Sequence, residues 1–244
     1  MASYLITGCS RGLGLELTKL LAASPSAGLI FATARRETPA LKSVVDSSNG
    51  RVHYVHLEVT DDASIASAVE TVTEKLHGKG LDVLINNAGI QVLESHGATK
   101  MHALEQSLQI NAVGVHKVSS LFLPLLEMGT LKKLLFITSE LGSKGMKDYS
   151  AKAPFPSYKV SKAAANMIMV QYAMELKPKG FTVFGVSPGW MKTDLGGPGA
   201  DLEPIVGATQ VLKILEKATP EDSGHYKQIF VEGSEIYNGK DIPW

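Results

Sequence analysis

The sequence predicts a single doubly wound, mostly parallel α/β domain of seven strands with helices on both faces. Three observations predict it. Short β-rich runs alternate with longer helical patterns along the chain. A glycine-rich turn joins the first strand to the first helix. No linker or internal repeat divides the 244 residues, so one domain is expected over 1–244.

The elements follow in order. Tyr4 to Thr7 reads as a strand, Leu13 to Ala23 as a helix, and Leu29 to Ala34 and Val52 to Val59 as the next two strands. Asp61 and Asp62 open an amphipathic helix reaching about His77, and Leu81 to Asn86 is the fourth strand. Leu104 to Met128 is helical, with a break expected at Pro124. Leu134 to Ser139 is the fifth strand, Ser157 caps a helix running to about Leu176, and Phe181 to Ser187 is the sixth strand. A helix near Ile205 to Ala218 and a short strand, Ile229 to Val231, complete the pattern. Segments 140–157 and 190–204 are the expected variable loops.

Composition excludes several classes. With 44% hydrophobic and 20% charged residues the chain can bury a large core and is not disordered. Its 24 basic and 24 acidic side chains balance, without the clustered cations that nucleic acid or an anionic membrane requires, so neither partner is expected. The single cysteine, Cys9, forms no intrachain disulfide, which suits a reducing compartment and makes the cytoplasm the expected location. No uninterrupted apolar run approaches ~18 residues, and no basic segment precedes an apolar stretch at the start, so neither a membrane span nor secretion is expected. The seven histidines are scattered and paired CxxC or HExxH spacings are absent; no metal site is expected. His53 and His56, three apart in a strand, point to opposite faces.

In a doubly wound sheet ligands bind beyond the carboxyl ends of the strands, and the motifs fall there. After the first strand come Gly8, Ser10, Arg11, Gly12, Leu13 and Gly14, spaced Gly-x3-Gly-x-Gly, which lets a helix N-terminus approach a pyrophosphate. After the second strand Arg35 and Arg36 stand where an acid would read the ribose hydroxyls of NAD. Together with Arg11 they suit a 2′-phosphate, so NADP(H) is preferred. Glu58 and Val59 follow the third strand, and Asn87, Ala88 and Gly89 the fourth. Tyr158 and Lys162 lie four apart on one helix, hence on one face, a turn apart. Bringing a phenol of ordinary pKa ~10 to neutrality needs roughly 4 kcal/mol, which Lys162 and a positive nicotinamide ring would supply together.

These motifs resemble those of the short-chain dehydrogenase/reductase family: the Thr7-Gly8 to Gly14 loop, Asn86-Asn87-Ala88-Gly89, Ser139 followed by Gly142, Tyr158-x3-Lys162, Asn111 on its helix, and Pro188-Gly189-x3-Thr193. The resemblance runs from Leu5 to Trp244 and lacks the extra substrate domain of extended members. Within the family, the opening Ile6 to Leu15, the Pro188 to Asp194 stretch and the ending Tyr237 to Trp244 look like the sniffer carbonyl reductase and C-factor group. It implies a Rossmann-type fold, a catalytic tetrad of Asn111, Ser139, Tyr158 and Lys162, and NADP(H) held by the glycine loop together with Arg35, Glu58, Val59, Asn87, Ala88, Gly89, Tyr158, Lys162, Pro188, Gly189, Met191 and Thr193. Glu58 stands where the family usually shows Asp.

The implied reaction is reversible reduction of a ketone, aldehyde or quinone, with hydride from NADPH, Tyr158 protonating the carbonyl oxygen, Ser139 holding it, and Asn111 keeping a water for proton relay. Gly196 to Gly199 would close over substrate as a lid. Ser139 and Tyr158 are 19 residues apart, a longer loop than many members have. Met146, Phe155, Trp190 and Met191 are expected near the substrate and favour a hydrophobic carbonyl compound. An aromatic polyketide ketone and a lipid-derived aldehyde fit equally. The long helices Leu104 to Met128 and Ser157 to Leu176 are, by resemblance, a homodimer interface. The alternative is an NADP-binding, C-factor-like signalling protein with little turnover; a dehydratase or isomerase on the same fold is a third reading.

Overall fold

The computed structural model describes residues 1–244. Seven parallel strands lie in the order β3-β2-β1-β4-β5-β6-β7: β1 (Ala2–Thr7), β2 (Ala27–Ala34), β3 (Val52–His56), β4 (Val83–Asn86), β5 (Lys133–Ile137), β6 (Thr182–Ser187) and β7 (Tyr226–Gln228). The two-residue period of each strand feeds two cores. Ile6, Ile30, Ile85, Leu135 and Phe184 pack with α1 (Gly12–Ala23), α2 (Pro39–Ser47) and α8 (Pro204–Lys217) on one face. Leu5, Phe31, Leu84, Leu134 and Val183 pack with α3 (Asp62–Leu76), α5 (Val115–Met128) and α7 (Pro156–Leu176) on the other. Both faces being covered explains why the strands read as nearly continuous apolar runs. No helix is long and apolar enough to cross a membrane.

Strand order reverses between β1 and β4, and that reversal opens the crevice described below. At the opposite, amino-terminal edge of the sheet Asp82, 8% exposed, pins the same two strands. The carboxylate accepts from the Ser3 and Thr130 backbone N–H groups, each at 2.8 Å, and from the Thr130 hydroxyl at 2.7 Å. It thereby joins the starts of β1 and β4 to the turn before β5.

Four elements differ from the expectation. Residues 39–47 form α2, where Thr38 accepts from the Leu41 N–H at 3.3 Å and Pro39 opens the first turn. The helix does not break at Pro124. That residue lies on the exposed face of the helix, and the irregularity falls instead on a π turn, Gln109–Gly114, between α4 (Leu104–Leu108) and α5. A Cβ on Gly114 would stand 2.8 Å from the Val59 carbonyl, so the chain bends where it meets the loop after β3. Ser157 does not cap α7: it lies buried inside the first turn that Pro156 begins. Finally, β7 is Tyr226–Gln228 rather than Ile229 to Val231, because Ile229 makes the last bond to β6 and the chain then folds back through Phe230 and Asn238.

Burial alone would raise the Asp82 pKa, but hydrogen bonds from Ser3, Thr130 and Leu131 outweigh it and hold the carboxyl below its ordinary value. Such a group stabilises the fold above its unfolded pKa and loses that contribution as pH falls through the folded one. Asp82→Asn is expected to cost about 1–3 kcal/mol at pH 7. Urea unfolding at successively lower pH should show the two proteins converging once the medium is more acidic than the ordinary carboxyl value of 3.8.

Candidate active site

The site begins where β1 ends. Gly8 and Gly12 have φ of +75° and +56°, a region that disfavours any side chain. A Cβ on Gly14 would stand 2.4 Å from the Gly8 carbonyl, so α1 can start tight against the turn only with glycine there. The loop is locked to β4. The Thr7 hydroxyl oxygen accepts from the backbone N–H of Asn87 and of Ala88, both at 2.9 Å. In return the Asn87 side-chain amide donates to the Thr7 carbonyl at 2.7 Å and the Gly8 carbonyl at 3.2 Å. No side chain caps the first turn of α1 and no acid lies in it, so its N–H groups are free for an anion.

From this loop a cavity of about 860 Å³ runs along the strand ends to Tyr158. Of the expected catalytic and cofactor-holding residues it gathers all but Gly14, Arg36 and Asn111: Gly14 lies behind the loop, and Asn111 is fully buried in the π turn. Met146 is not on the wall either; Tyr149, Lys152 and Phe155, farther along the same loop, line it instead. Arg36 is exposed and off the wall, whereas Arg35 and Arg11 both line it. Arg11 Nε lies 2.9 Å from Asp194 and Arg35 Nε 3.6 Å from Glu58. Both arginines are exposed, and pairs of this kind are weak enough to be exchanged for a phosphate. Glu58 also accepts from the Thr60 N–H at 3.2 Å.

At the far end, Tyr158 and Lys162 are 6% and 5% exposed, with Lys162 Nζ 5.7 Å from the tyrosine ring centre. The ammonium donates to the Ile137 carbonyl at 2.9 Å. Burial lowers the Lys162 pKa to about 8. Burial pushes the Tyr158 phenol well up, the Ser139 side chain pulls it down, and the Glu140 charge adds to the rise. Burial therefore outweighs the neighbouring groups at the Tyr158 phenol in the protein alone. Asn111 is a clamp. Its Oδ1 accepts from the Ile90 N–H at 2.8 Å, while Nδ2 donates to the Ile90 carbonyl at 2.8 Å and to Ser161 Oγ at 2.9 Å. A Cβ on Gly89 would lie 3.1 Å from Asn111 Oδ1 and 3.7 Å from Lys162 Nζ, which makes glycine the fitting residue between them.

Sequence reasoning missed several supports. Glu140, beside Ser139, accepts from the Ser187 hydroxyl and from the Gln228 amide and so joins the ends of β5, β6 and β7. Tyr237 Oη donates to Asp201 at 2.8 Å and accepts from the Trp190 N–H at 3.1 Å. The Trp190 indole in turn donates to the Gly196 carbonyl at 2.7 Å. Of the Gly196 to Gly199 segment expected to act as a lid, only Gly196 lines the cavity, and its carbonyl is tied down through Trp190 and Tyr237. Nothing in the local pattern marks Glu140 or Tyr237, since their partners are distant in sequence.

The model of the short chain dehydrogenase family matches residues 3–201. This chain belongs to that family. Among curated short-chain dehydrogenase relatives it is similar to C-signal of Myxococcus xanthus, 35% identical over 166 residues, covering 67% of this chain and 93% of the relative. Among solved structures it is similar to the NADPH-bound carbonyl reductase from chicken fatty liver, with TM-score 0.90 and 29% identity over 100% of this chain and 99% of the other. The carbonyl reductase Sniffer of D. melanogaster superposes with TM-score 0.87 and 27% identity over the whole of both chains. The short-chain dehydrogenase fold and the sniffer and C-factor resemblance follow, and the protein is an oxidoreductase of this family by descent.

Burying a lysine that ordinarily titrates at 10.5 carries a stability cost with a definite pH dependence. The unfolded chain holds the proton more tightly, so the cost is fully present below about 8 and is relieved as pH rises toward 10.5. Lys162→Met is expected to raise the stability of the cofactor-free protein at pH 7 by roughly 1–3 kcal/mol. Thermal unfolding across that range should show the advantage shrinking with rising pH.

Proposed function

We propose that this protein is an NADPH-dependent carbonyl reductase acting on a hydrophobic ketone, aldehyde or quinone. The observation that carries the reading is one cavity with a phosphate-binding loop and two arginines at one end and a buried Tyr158 beside Ser139 and Lys162 at the other. Bound NADPH would supply the hydride. Gly8, Ser10, Gly12 and Leu13 and the free N–H groups of α1 hold the pyrophosphate. Arg11 and Arg35 leave their carboxylates for the 2′-phosphate, and Pro188, Gly189, Met191 and Thr193 border the nicotinamide. Glu58 and Val59 line the adenosine side, Asn87 and Ala88 back the loop, and Gly89 leads to the Lys162 end.

The Ser139 hydroxyl donates to the carbonyl oxygen of the substrate and Tyr158 delivers the proton to that same oxygen. Lys162, fixed on the Ile137 carbonyl, orients the nicotinamide ribose, and its charge favours the tyrosinate left after proton transfer. Asn111 holds the loop after β4 against α7 and so keeps Lys162 in place. Tyr149, Phe155 and Trp190 give the substrate end an aromatic wall, beside which Lys152 adds a charge. The exposed apolar side chains Leu121 and Met128 of α5 and Val160, Met167 and Met174 of α7 support a homodimer through these two helices. Location in the cytoplasm accords with the lone buried Cys9.

The likeness to C-signal supports a second reading, an NADP-binding signalling protein with little turnover. A panel of quinones, aromatic ketones and aldehydes followed by NADPH oxidation separates the two. Turnover is expected, and Tyr158→Phe should reduce kcat by roughly 10²-fold or more while NADPH binding persists. Tight NADPH binding with no turnover on any carbonyl would favour signalling.

The cofactor assignment has its own measurement. Arg11→Ala combined with Arg35→Ala should weaken NADPH by about tenfold to a hundredfold and leave NADH nearly unchanged, because only the former carries the 2′-phosphate. Equal loss for both cofactors, read by fluorescence titration, would contradict the assignment.

A further inference from the structure

Glu94 lies in the irregular connection between β4 and α4, with no role in the family motifs, yet it is 2% exposed. Its Oε1 accepts from the Ala103 backbone N–H and its Oε2 from the Ser157 backbone N–H, each at 3.0 Å. Its own N–H donates to the Pro154 carbonyl at 2.8 Å. Ala103 is the N-cap of α4 and Ser157 sits in the first turn of α7. Neither helix has a local cap: Ala103 offers no side-chain oxygen, and the residue before α7 is Phe155. One buried carboxylate therefore satisfies the starts of two helices, where the partial positive charge of each favours an anion.

Those helices carry the site. Ser157 immediately precedes Tyr158, and α4 runs directly into the π turn that holds Asn111. Farther in, Asn111 Nδ2 meets Ser161 Oγ, next to Lys162. The two helices are thus polar-linked at two levels, Glu94 at their starts and Asn111 with Ser161 inside. Two links fix a relative orientation, whereas one leaves a pivot. We propose that Glu94 is a positioning residue that sets Tyr158 and Asn111 in register by capping α4 and α7 together. The bond to Pro154 extends this hold to the 140–157 loop, so Glu94 also anchors Phe155 on the substrate side. Hydrogen bonds from Ala103 and Ser157, helped by His102, more than offset burial and keep the carboxyl below its ordinary value, so the cap is an anion at neutral pH.

The proposal rests on the reductase reading and is tested with Glu94→Gln and Glu94→Ala. Glutamine keeps the volume but offers one acceptor, and its NH₂ meets the other backbone donor. The expected result is a graded fall in kcat, roughly tenfold for Gln and toward 10²-fold for Ala, with NADPH Kd within about twofold. Hydrogen exchange of the Ala103 and Ser157 amides should accelerate in both variants. Unchanged kcat in Glu94→Gln, or unchanged exchange at those two amides, overturns the proposal. So does a fall in kcat that comes with loss of NADPH binding, which marks a general defect of the fold; if Glu94→Ala does not fold, Glu94→Gln carries the decision. Should the wild type reduce no carbonyl compound, the reductase reading fails by itself, and the exchange measurement still decides whether Glu94 caps both helices.

Discussion

The structure depends on the lock between Thr7 and Asn87. Two parallel strands lie side by side where the chain reverses its direction of winding, and their ends must be held together without closing the crevice between them. One hydroxyl receiving two backbone N–H groups and one amide returning two bonds do this with side chains of modest size. The glycine loop gains its shape against this lock, since Gly8 and Gly14 approach Asn87 and Ala88 too closely for a Cβ. Phosphate-binding loop, helix start and strand end are therefore one unit.

The buried charges are held in three ways. Asp82 and Glu94 are surrounded by backbone N–H groups, which lower their pKa and make them structural anions. Glu140 is held by a hydroxyl and a side-chain amide, across three strand ends. Lys162 has a single carbonyl for a partner and pays for its place with a depressed pKa. The poorly compensated charge is the one at the reacting end, in line with the general tendency of sites to hold strain that the scaffold elsewhere offsets. By contrast Arg11 and Arg35 remain in water beside exchangeable carboxylates, as suits groups that must let a phosphate in.

The alternation of strand and helix was legible because it follows from periodicity, and the motif residues were legible because they follow strand ends one after another. Where the reading failed, a neighbour distant in sequence decided. Pro124 breaks nothing because it faces solvent, Ser157 caps nothing because α7 already begins at Pro156, leaving Glu94 to take the Ser157 N–H, and β7 ends at Gln228 because the chain folds back after Ile229. The Thr38-Pro39 start of α2 was a local signal that went unread in a segment with only two buried side chains, Leu41 and Val44.

By itself the sequence determined the layered fold, the glycine loop and the spacing of Tyr158 and Lys162, since these rest on backbone geometry and local period. Only the tertiary structure decided that Asn111 clamps rather than lines the cavity, that Met146 yields its place to Tyr149, and that Glu94 serves two helices. Hydrogen bonds and burial depend on which segments meet, and that information lies in packing between parts of the chain that local pattern does not connect.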